Sequence, residues 1–137
     1  MRVQEIMTRN VIHIRMDDTL ERIRELFKKF KFHHLPVMEE KQLVGIISDR
    51  DLAYTLSPFL NTPESQSRDV ALLQKKAHQI MTRDVITVSR KTSIEDACRI
   101  MLENDISCLP VVTPEGEVDG IITWRDLFRA LLKLDRI

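Results

Sequence analysis

A heptapeptide of this chain occurs twice, and this internal repeat limits the possible folds more than any other feature. Residues 6–12 (IMTRNVI) return as residues 80–86 (IMTRDVI), at an offset of 74. The offset is 75 for a second match, between residues 45–52 (GIISDRDL, the first octet) and residues 120–127 (GIITWRDL, the second octet). Two copies are too few for an open solenoid, which usually needs about three. A closed pair related by a pseudo-twofold axis is therefore expected.

Each copy carries the same order of patterns, which predicts a βαββα unit. A short β-rich run (11–14; 85–88) precedes an amphipathic helix whose apolar stripe is core. The spacing of Asp18 to Glu21 and of Thr92 to Glu95 predicts a capping box at each helix start. The predicted hairpins are 35–38 with 43–48 and 109–112 with 118–123, and the second helices are about 49–56 and 124–134. The fold class is α+β (α/β-type), with both repeats forming one module.

The repeat also divides the chain. Residues 1–56 are assigned to the first repeat, 57–69 to a connector with two prolines, and 70–137 to the second repeat. Residues 69–78 could form a helix that leads into the second repeat.

Composition excludes several function classes. Lys and Arg together number 21, as do Asp and Glu, so the basic field of a nucleic-acid binder is missing. The apolar stretches are only strand-length and the N-terminus lacks a signal-peptide run, which predicts a cytoplasmic protein without a membrane partner. Cys98 and Cys108 form neither a disulfide framework nor a zinc spacing and are interpreted as partly buried thiols.

The octets have two interpretations. Ser48 with Asp51, and Thr123 with Asp126, fit capping boxes at helix starts. The same geometry suits a nucleotide, because helix N–H groups attract phosphate and an aspartate can accept from ribose hydroxyls. A glycine on the preceding strand would let a flat base approach the backbone. A repeat duplicates structural caps as readily as binding residues, so both interpretations stay open.

Together with the two IMTR segments (6–9; 80–83) and the two Leu-Pro-Val segments of the hairpins (35–37; 109–111), the octets resemble those of the cystathionine-β-synthase (CBS) domain pair, or Bateman module. The resemblance covers nearly the whole chain. The connector length is similar to that of small stand-alone prokaryotic members, including the acetoin-utilisation type.

The resemblance implies an adenosine ligand (AMP, ADP, ATP or S-adenosylmethionine) in clefts between the repeats. Asp51 and Asp126 would hold ribose, Ser48 and Thr123 would contact ribose or phosphate, and Arg50 and Arg125 are phosphate candidates. The segments 8–12 and 82–86 would offer backbone edges to adenine through Thr8, Val11, Ile12, Thr82, Val85 and Ile86. The segments 34–36 and 108–110 would help, through His34, Leu35, Pro36, Cys108, Leu109 and Pro110.

The two octets differ at one position, where the first has Asp49 and the second has Trp124. Asp49 should repel phosphate, so the second cleft is favoured, and Trp124 could stack on a base, pack on a dimer mate or serve ordinary helix packing. His33 and His34 could suggest a metal site or a pH switch. Adjacent residues of a strand point to opposite faces and do not form a chelating pair, so no metal is expected.

No catalytic motif is present, so a sensor rather than an enzyme is expected, with no required cofactor. Binding would shift a conformational population that an unidentified effector protein reads. The alternative is a structural interaction module in which the octets are only caps. Apolar residues of the last helix predict a homodimer in both cases; they are Leu127, Phe128, Leu131, Leu132 and Leu134.

Overall fold

The computed structural model describes residues 1–56 and 66–134, which form five strands and five α-helices. In chain order these are β1 (Ile14–Arg15), α1 (Leu20–Lys29), β2 (His34–Glu39), β3 (Gln42–Ser48), α2 (Asp49–Leu56), α3 (Gln66–Leu73), α4 (Ile94–Asn104), β4 (Cys108–Val112), β5 (Val118–Thr123) and α5 (Trp124–Leu134). Short 3₁₀ helices occupy Val3–Glu5 and Ala77–Gln79. Both predicted hairpins and both second helices are confirmed. In this part of the chain no helix is long and apolar enough to cross a membrane.

The strand that opens each repeat is shorter than predicted. In the first repeat β1 is parallel to β2 and begins only at Ile14, which pairs with Val37, so the predicted strand 11–14 is wrong by three residues at its start. In the second repeat the predicted strand 85–88 is reduced to one parallel bridge between Val88 and Val111. The next backbone bond toward the N-terminus would need the N–H of Pro36 or Pro110, which proline lacks. The two prolines therefore end the pairing at equivalent points.

The capping boxes predicted at Asp18 and Thr92 are wrong by one residue. Thr19 caps α1 by accepting from the Arg22 N–H, and Ser93 caps α4 by accepting from the Asp96 N–H at 3.0 Å. Asp18 and Thr92 instead accept from the backbone N–H three residues earlier, at 2.7 and 3.2 Å. Their side chains close the turn before the helix, so the helix begins one residue later.

The described chain divides into two compact units, and neither is a contiguous repeat. The second-repeat unit contains residues 1–11, 41–43 and the described residues from 85 onward. The first-repeat unit contains residues 12–40 and the described residues of 44–84. Each unit therefore holds one βαββα repeat, with a short segment that precedes the other repeat in sequence. We call residues 1–11 and 77–84 the lead-in segments.

The first lead-in segment is built into the core of the second-repeat unit. The Val3 N–H donates to the Thr92 carbonyl at 2.8 Å, and the Ile94 N–H donates to the Met1 carbonyl at 3.1 Å. Val3 is fully buried and belongs, with Met7, to one apolar cluster. The other buried members are Val88, Ala97, Met101, Leu109, Val111, Ile122 and Leu127.

The second lead-in segment completes the first-repeat unit in the same way. The Ala77 N–H donates to the Asp18 carbonyl at 2.8 Å, and the His78 N–H donates to the Met16 carbonyl at 3.0 Å. Ala77 and Met81 are buried among residues of β1, α1, β2, β3 and α2. Both cores thus depend on a segment distant in sequence.

The assignment of residues 57–69 to a connector stays a prediction. Helix α3 already begins at Gln66, earlier than the helix expected at 69–78, and ends at Leu73. Residues 57–65 lie outside the described residues.

The octet glycines make room for the lead-in segments, and the expectation that they admit a flat base was wrong. A Cβ on Gly120 would lie 2.7 Å from the Met7 sulfur and 2.8 Å from the Thr8 carbonyl oxygen. A Cβ on Gly45 would lie 2.6 Å from the Met81 sulfur and 3.0 Å from the Thr82 carbonyl oxygen. Three of these distances are shorter than ordinary contacts and the fourth is at their lower limit, so the space at each glycine is occupied by the protein chain.

We expect Gly120→Ala to lower the free energy of unfolding by about 1 to 3 kcal/mol, because the methyl group overpacks against Met7 and the Thr8 backbone. Urea denaturation followed by circular dichroism measures the loss. Met7→Ala should relieve part of it in the double variant, whereas Met81→Ala, which packs on Gly45, should not. Equal relief by both substitutions would contradict this packing.

Candidate functional site

Both octets pass from a strand directly into a helix, and in each an aspartate of the first helical turn accepts a hydrogen bond from the last residue of the strand. The Ser48 N–H donates to Asp51 Oδ2 at 3.1 Å, and the Asp51 N–H donates to Ser48 Oγ at 3.0 Å. In the second octet the Thr123 N–H and its hydroxyl both donate to Asp126 Oδ2, at 2.9 and 3.3 Å. The predicted capping box is therefore complete in the first octet, and in the second octet the described bonds form its carboxylate half.

Capping does not use up these carboxylates. The described hydrogen bonds engage Oδ2 of each aspartate, and both residues are only partly buried. Each of these bonds holds a carboxylate in one orientation beside the first turn of a helix, the end whose dipole attracts an anion. The geometry that ends the strand therefore also presents a fixed acceptor at the positive end of a helix.

The lead-in threonines lie beside the octets in a crossed arrangement that sequence reasoning missed. Thr8 exchanges two backbone hydrogen bonds with Ile121 of the second octet, each 2.9 Å long. Thr82 exchanges two with Ile46 of the first octet, each 3.0 Å long. Each threonine is thus paired with the octet of the other repeat. Each octet glycine contacts a methionine of the lead-in segment that crosses to it, but this correspondence is recognised only in the structure.

The predicted binding residues are divided between the two units. The second-repeat unit contains Thr8, Val11, Val85, Ile86, Cys108, Leu109, Pro110, Thr123, Trp124, Arg125 and Asp126. The first-repeat unit contains Ile12, His34, Leu35, Pro36, Ser48, Arg50, Asp51 and Thr82. Leu35 and Leu109 are fully buried in the two apolar cores, so only their backbone could contribute to a ligand. The roles of all these residues remain predictions.

Several of these residues present exposed surface of the expected chemistry. Ile12 is 36% exposed and Ile86 is 38% exposed, so each unit has an apolar side chain at its surface. Arg50 and Arg125 are exposed on the first turns of α2 and α5. Each unit therefore has an apolar side chain, a guanidinium and an anchored carboxylate.

Asp49 and Trp124, at the start of the two helices, have different partners. His33 Nδ1 lies 2.7 Å from Asp49 Oδ2. The Trp124 indole N–H donates to the Ile106 carbonyl at 3.1 Å, and its ring meets Phe128 edge to face with centroids 6.2 Å apart. Trp124 thus makes helix-packing contacts, and 42% of its surface stays exposed. Sequence reasoning considered His33 as part of a metal site or a pH switch and missed its pairing with Asp49.

Two further groups near the octets have perturbed pKa values. Burial lowers the pKa of His34, against the opposing effect of Asp49 and Asp51, so its imidazole is neutral at physiological pH. Burial, and secondarily the Asp126 carboxylate, raises the pKa of the Cys108 thiol to about 12. Both groups are held in their uncharged forms.

We expect Cys108 to resist alkylation by iodoacetamide in the folded protein at pH 8, because only a thiolate reacts and this thiol stays protonated. Mass spectrometry of the Cys98→Ser variant should find label only after unfolding. An unfolded thiol ionises at roughly 8.5, so the free energy of unfolding should also fall as pH rises from there toward 12. Rapid native labelling would contradict the burial of this thiol.

Other candidate chemistry lies away from the octets. A cleft of about 760 Å³ in the first-repeat unit is lined by β1, the turn after β2, His78 and Arg83, and contains none of the predicted binding residues. Over residues 1–56 and 66–134, no three His, Cys, Asp or Glu side chains are placed to hold a metal ion.

Comparison with known proteins identifies the family. The CBS domain family model matches residues 3–57 and again residues 77–133. The chain belongs to the CBS domain family. The two matches correspond to the two repeats, so the protein is a CBS domain pair, as the octets predicted.

Solved CBS structures with the same architecture include complexes with adenosine compounds. CBSX2 of Arabidopsis thaliana in complex with AMP is 31% identical, with a TM-score of 0.82 and 98% of each chain covered. The CBS domain pair of protein MJ0100, in complex with 5′-methylthioadenosine and S-adenosyl-L-methionine, is 26% identical. Its TM-score is 0.77, with 96% of this chain and 95% of that chain covered.

A third structure is a Vibrio cholerae protein assigned to acetoin utilization (AcuB). It is 26% identical to this CBS pair, with a TM-score of 0.82, and covers 99% of this chain and 93% of its own. The predicted similarity to stand-alone CBS proteins, including the acetoin-utilisation type, is confirmed.

Proposed function

We propose that this CBS pair is a non-catalytic regulatory module that binds an adenosine-containing ligand at its octets, principally at the second. The ligand class is AMP, ADP, ATP or S-adenosylmethionine. The observation that carries the proposal is the anchored carboxylate at each helix start, where Asp51 and Asp126 are held through one oxygen by backbone N–H groups. The AMP complex of CBSX2 and the S-adenosyl-L-methionine complex of MJ0100 support this ligand class.

The parts of the ligand match the chemistry of the second-repeat unit. Asp126 would accept hydrogen bonds from the ribose hydroxyls, and the first turn of α5 with Arg125 would attract phosphate. Ile86, exposed and apolar, would pack on the adenine ring, and the backbone near Thr8 or Val85 would contact its polar edge. Asp51, Arg50, Ile12 and Thr82 would do the same in the first-repeat unit.

The perturbed groups favour binding over catalysis. A nucleophilic thiol needs a lowered pKa, whereas the pKa of Cys108 is raised to about 12. We infer that the ligand is held rather than transformed.

Binding would act by population shift: a ligand that prefers one conformation stabilises it, and an effector protein reads the change. Adenine nucleotides and reduced thiols suit a cytoplasmic location. The balanced charge of 21 basic and 21 acidic residues does not favour nucleic acid as the ligand.

Thermal unfolding with AMP, ADP, ATP or S-adenosylmethionine tests the proposal, and guanosine monophosphate is the control. A ligand at about a hundred times its dissociation constant should add roughly 2.7 kcal/mol of stability. The expected rise in Tm is on the order of 5 to 10 °C. No rise with any of the four compounds would contradict the proposal.

A homodimerisation module is the second candidate function, and the exposed face of α5 favours it. Phe128, Leu131 and Leu132 are each about 60% exposed on one helix, which is more apolar surface than an isolated small domain usually presents. Leu127 was expected on this face but is buried in the core, and the side chain of Leu134 lies outside the described residues.

We propose that this face forms a homodimer whether or not a nucleotide binds. Sedimentation of wild type and of Phe128→Glu tests the proposal, with Arg129→Glu as a neighbouring control on the same helix. A dimer that becomes monomeric only in Phe128→Glu supports it, and a monomeric wild type contradicts it.

A further inference from the structure

The two octets share a backbone frame at the helix start, so their side chains can be compared directly. The Asp49 N–H donates to the His33 carbonyl at 2.9 Å, and the Trp124 N–H donates to the Ser107 carbonyl at 3.3 Å. Asp49 and Trp124 are the first residues of α2 and α5. Each N–H thus bonds to the residue just before the first hairpin strand of its repeat, β2 or β4. The difference between the octets is therefore chemical.

The first octet carries a carboxylate at this position and the second carries a neutral indole. Asp49 keeps 45% of its side chain exposed, so its charge lies at the surface beside the first turn of α2. The Trp124 indole is held by the Ile106 carbonyl. The second helix start therefore has one acidic side chain in its first turn, Asp126, where the first helix start has both Asp49 and Asp51.

That extra carboxylate changes which ligands the first helix start should favour. The N–H groups and the dipole of a helix start attract a phosphate, but a carboxylate in the same turn repels it and attracts a cation. His34, at the start of β2, adds no compensating charge because burial lowers its pKa. Arg50 opposes the negative charge, but it has a counterpart in Arg125 and does not distinguish the two octets.

His33 is placed to moderate this repulsion. Its ring nitrogen lies 2.7 Å from Asp49 Oδ2, so it holds that carboxylate in one orientation and shares its charge through a hydrogen bond. The equivalent position in the second repeat is Ser107, and the first residue of α5 is Trp124 rather than an aspartate. The His33–Asp49 pair is thus specific to the first octet.

We propose that His33 and Asp49 set the charge preference of the first octet: it selects a neutral or cationic adenosine compound over a phosphorylated one. The second octet, with Trp124 in place of Asp49, then takes the phosphorylated ligand. This inference rests on the proposed function, because it requires that the octets bind adenosine compounds. One chain would then bind two adenosine compounds of different charge, one at each octet.

Titration calorimetry tests the proposal in the Asp126→Ala chain, where the first octet is the remaining site. The probes are adenosine, S-adenosylmethionine, AMP and ATP, which span the charge range on one nucleoside. We expect adenosine and S-adenosylmethionine to bind roughly tenfold more tightly than ATP. Asp49→Asn should reduce the ratio of adenosine to ATP affinity about tenfold, mainly by strengthening ATP binding.

His33→Ser supplies the second arm, because serine is the residue of the other repeat. It should weaken ATP binding about threefold and leave adenosine binding much less changed, and it should have no such effect in the Asp49→Asn background.

An unchanged ratio of adenosine affinity to ATP affinity in Asp49→Asn would overturn the proposal. So would a first octet that binds no probe while the wild-type chain binds AMP. If the wild-type chain binds none of the probes, the proposed function itself fails. Circular dichroism of each variant confirms the fold.

Discussion

Asp126→Ala is expected to weaken adenosine-ligand binding at the second octet by about a hundredfold or more. The carboxylate would accept two ribose hydroxyl bonds, and a hydrogen bond to a charged group contributes about 1.5 to 3 kcal/mol. Titration calorimetry with AMP measures the loss and also gives the number of occupied sites per chain. The variant loses a helix cap as well, so its free energy of unfolding should fall by only about 1 kcal/mol.

Two controls separate lost binding from lost structure. Asp126→Asn keeps an acceptor for the Thr123 N–H but removes the charge, so its fold should match wild type while binding still falls. Asp96→Ala removes an exposed aspartate of α4 and should leave AMP affinity unchanged. Wild-type affinity in Asp126→Ala would remove Asp126 from the site.

Val3→Asp should be the most damaging single substitution for stability, with a loss of about 3 to 5 kcal/mol. Val3 is fully buried in the apolar cluster of the second-repeat unit. A carboxylate there would be buried without a partner. Urea denaturation followed by circular dichroism measures the loss.

Asn10→Asp is the control within the same lead-in segment. Asn10 is exposed, and the corresponding residue of the other repeat is already Asp84. We expect a change within about 0.5 kcal/mol. If Val3→Asp were equally mild, the first lead-in segment would not be part of a core.

The order of elements could be predicted because each is encoded locally. Apolar spacing placed α1 and α4, as the burial of Leu20, Ile23, Ala97 and Met101 confirms. Turn residues between apolar runs placed both hairpins. Repetition then strengthened every assignment, since each pattern had to appear twice.

The crossed lead-in segments could not be predicted, because each one packs on residues that are distant from it in sequence. In the sequence, Val3 and Ala77 are simply apolar residues near the start of a repeat. The neighbouring residues do not indicate which of the two cores buries them. The octet glycines were misread for the same reason: the atoms that approach them come from Met7 and Met81.

The residues of the candidate site could be predicted more completely than the hydrogen bonds between them. The octet pattern gave both the caps and the aspartates, because a strand that turns directly into a helix needs such residues. The hydrogen bond between His33 and Asp49 depends on where β2 begins relative to α2, which sequence spacing does not specify. That pair distinguishes the octets in charge.

The most direct test of the central claim is titration of AMP and S-adenosylmethionine into the wild-type chain and into the Asp51→Ala/Asp126→Ala double variant. We predict saturable binding of at least one ligand to the wild type and none to the double variant, with the circular dichroism spectrum retained. Absence of binding to the wild type, or equal binding to the double variant, would contradict a ligand site at the octets.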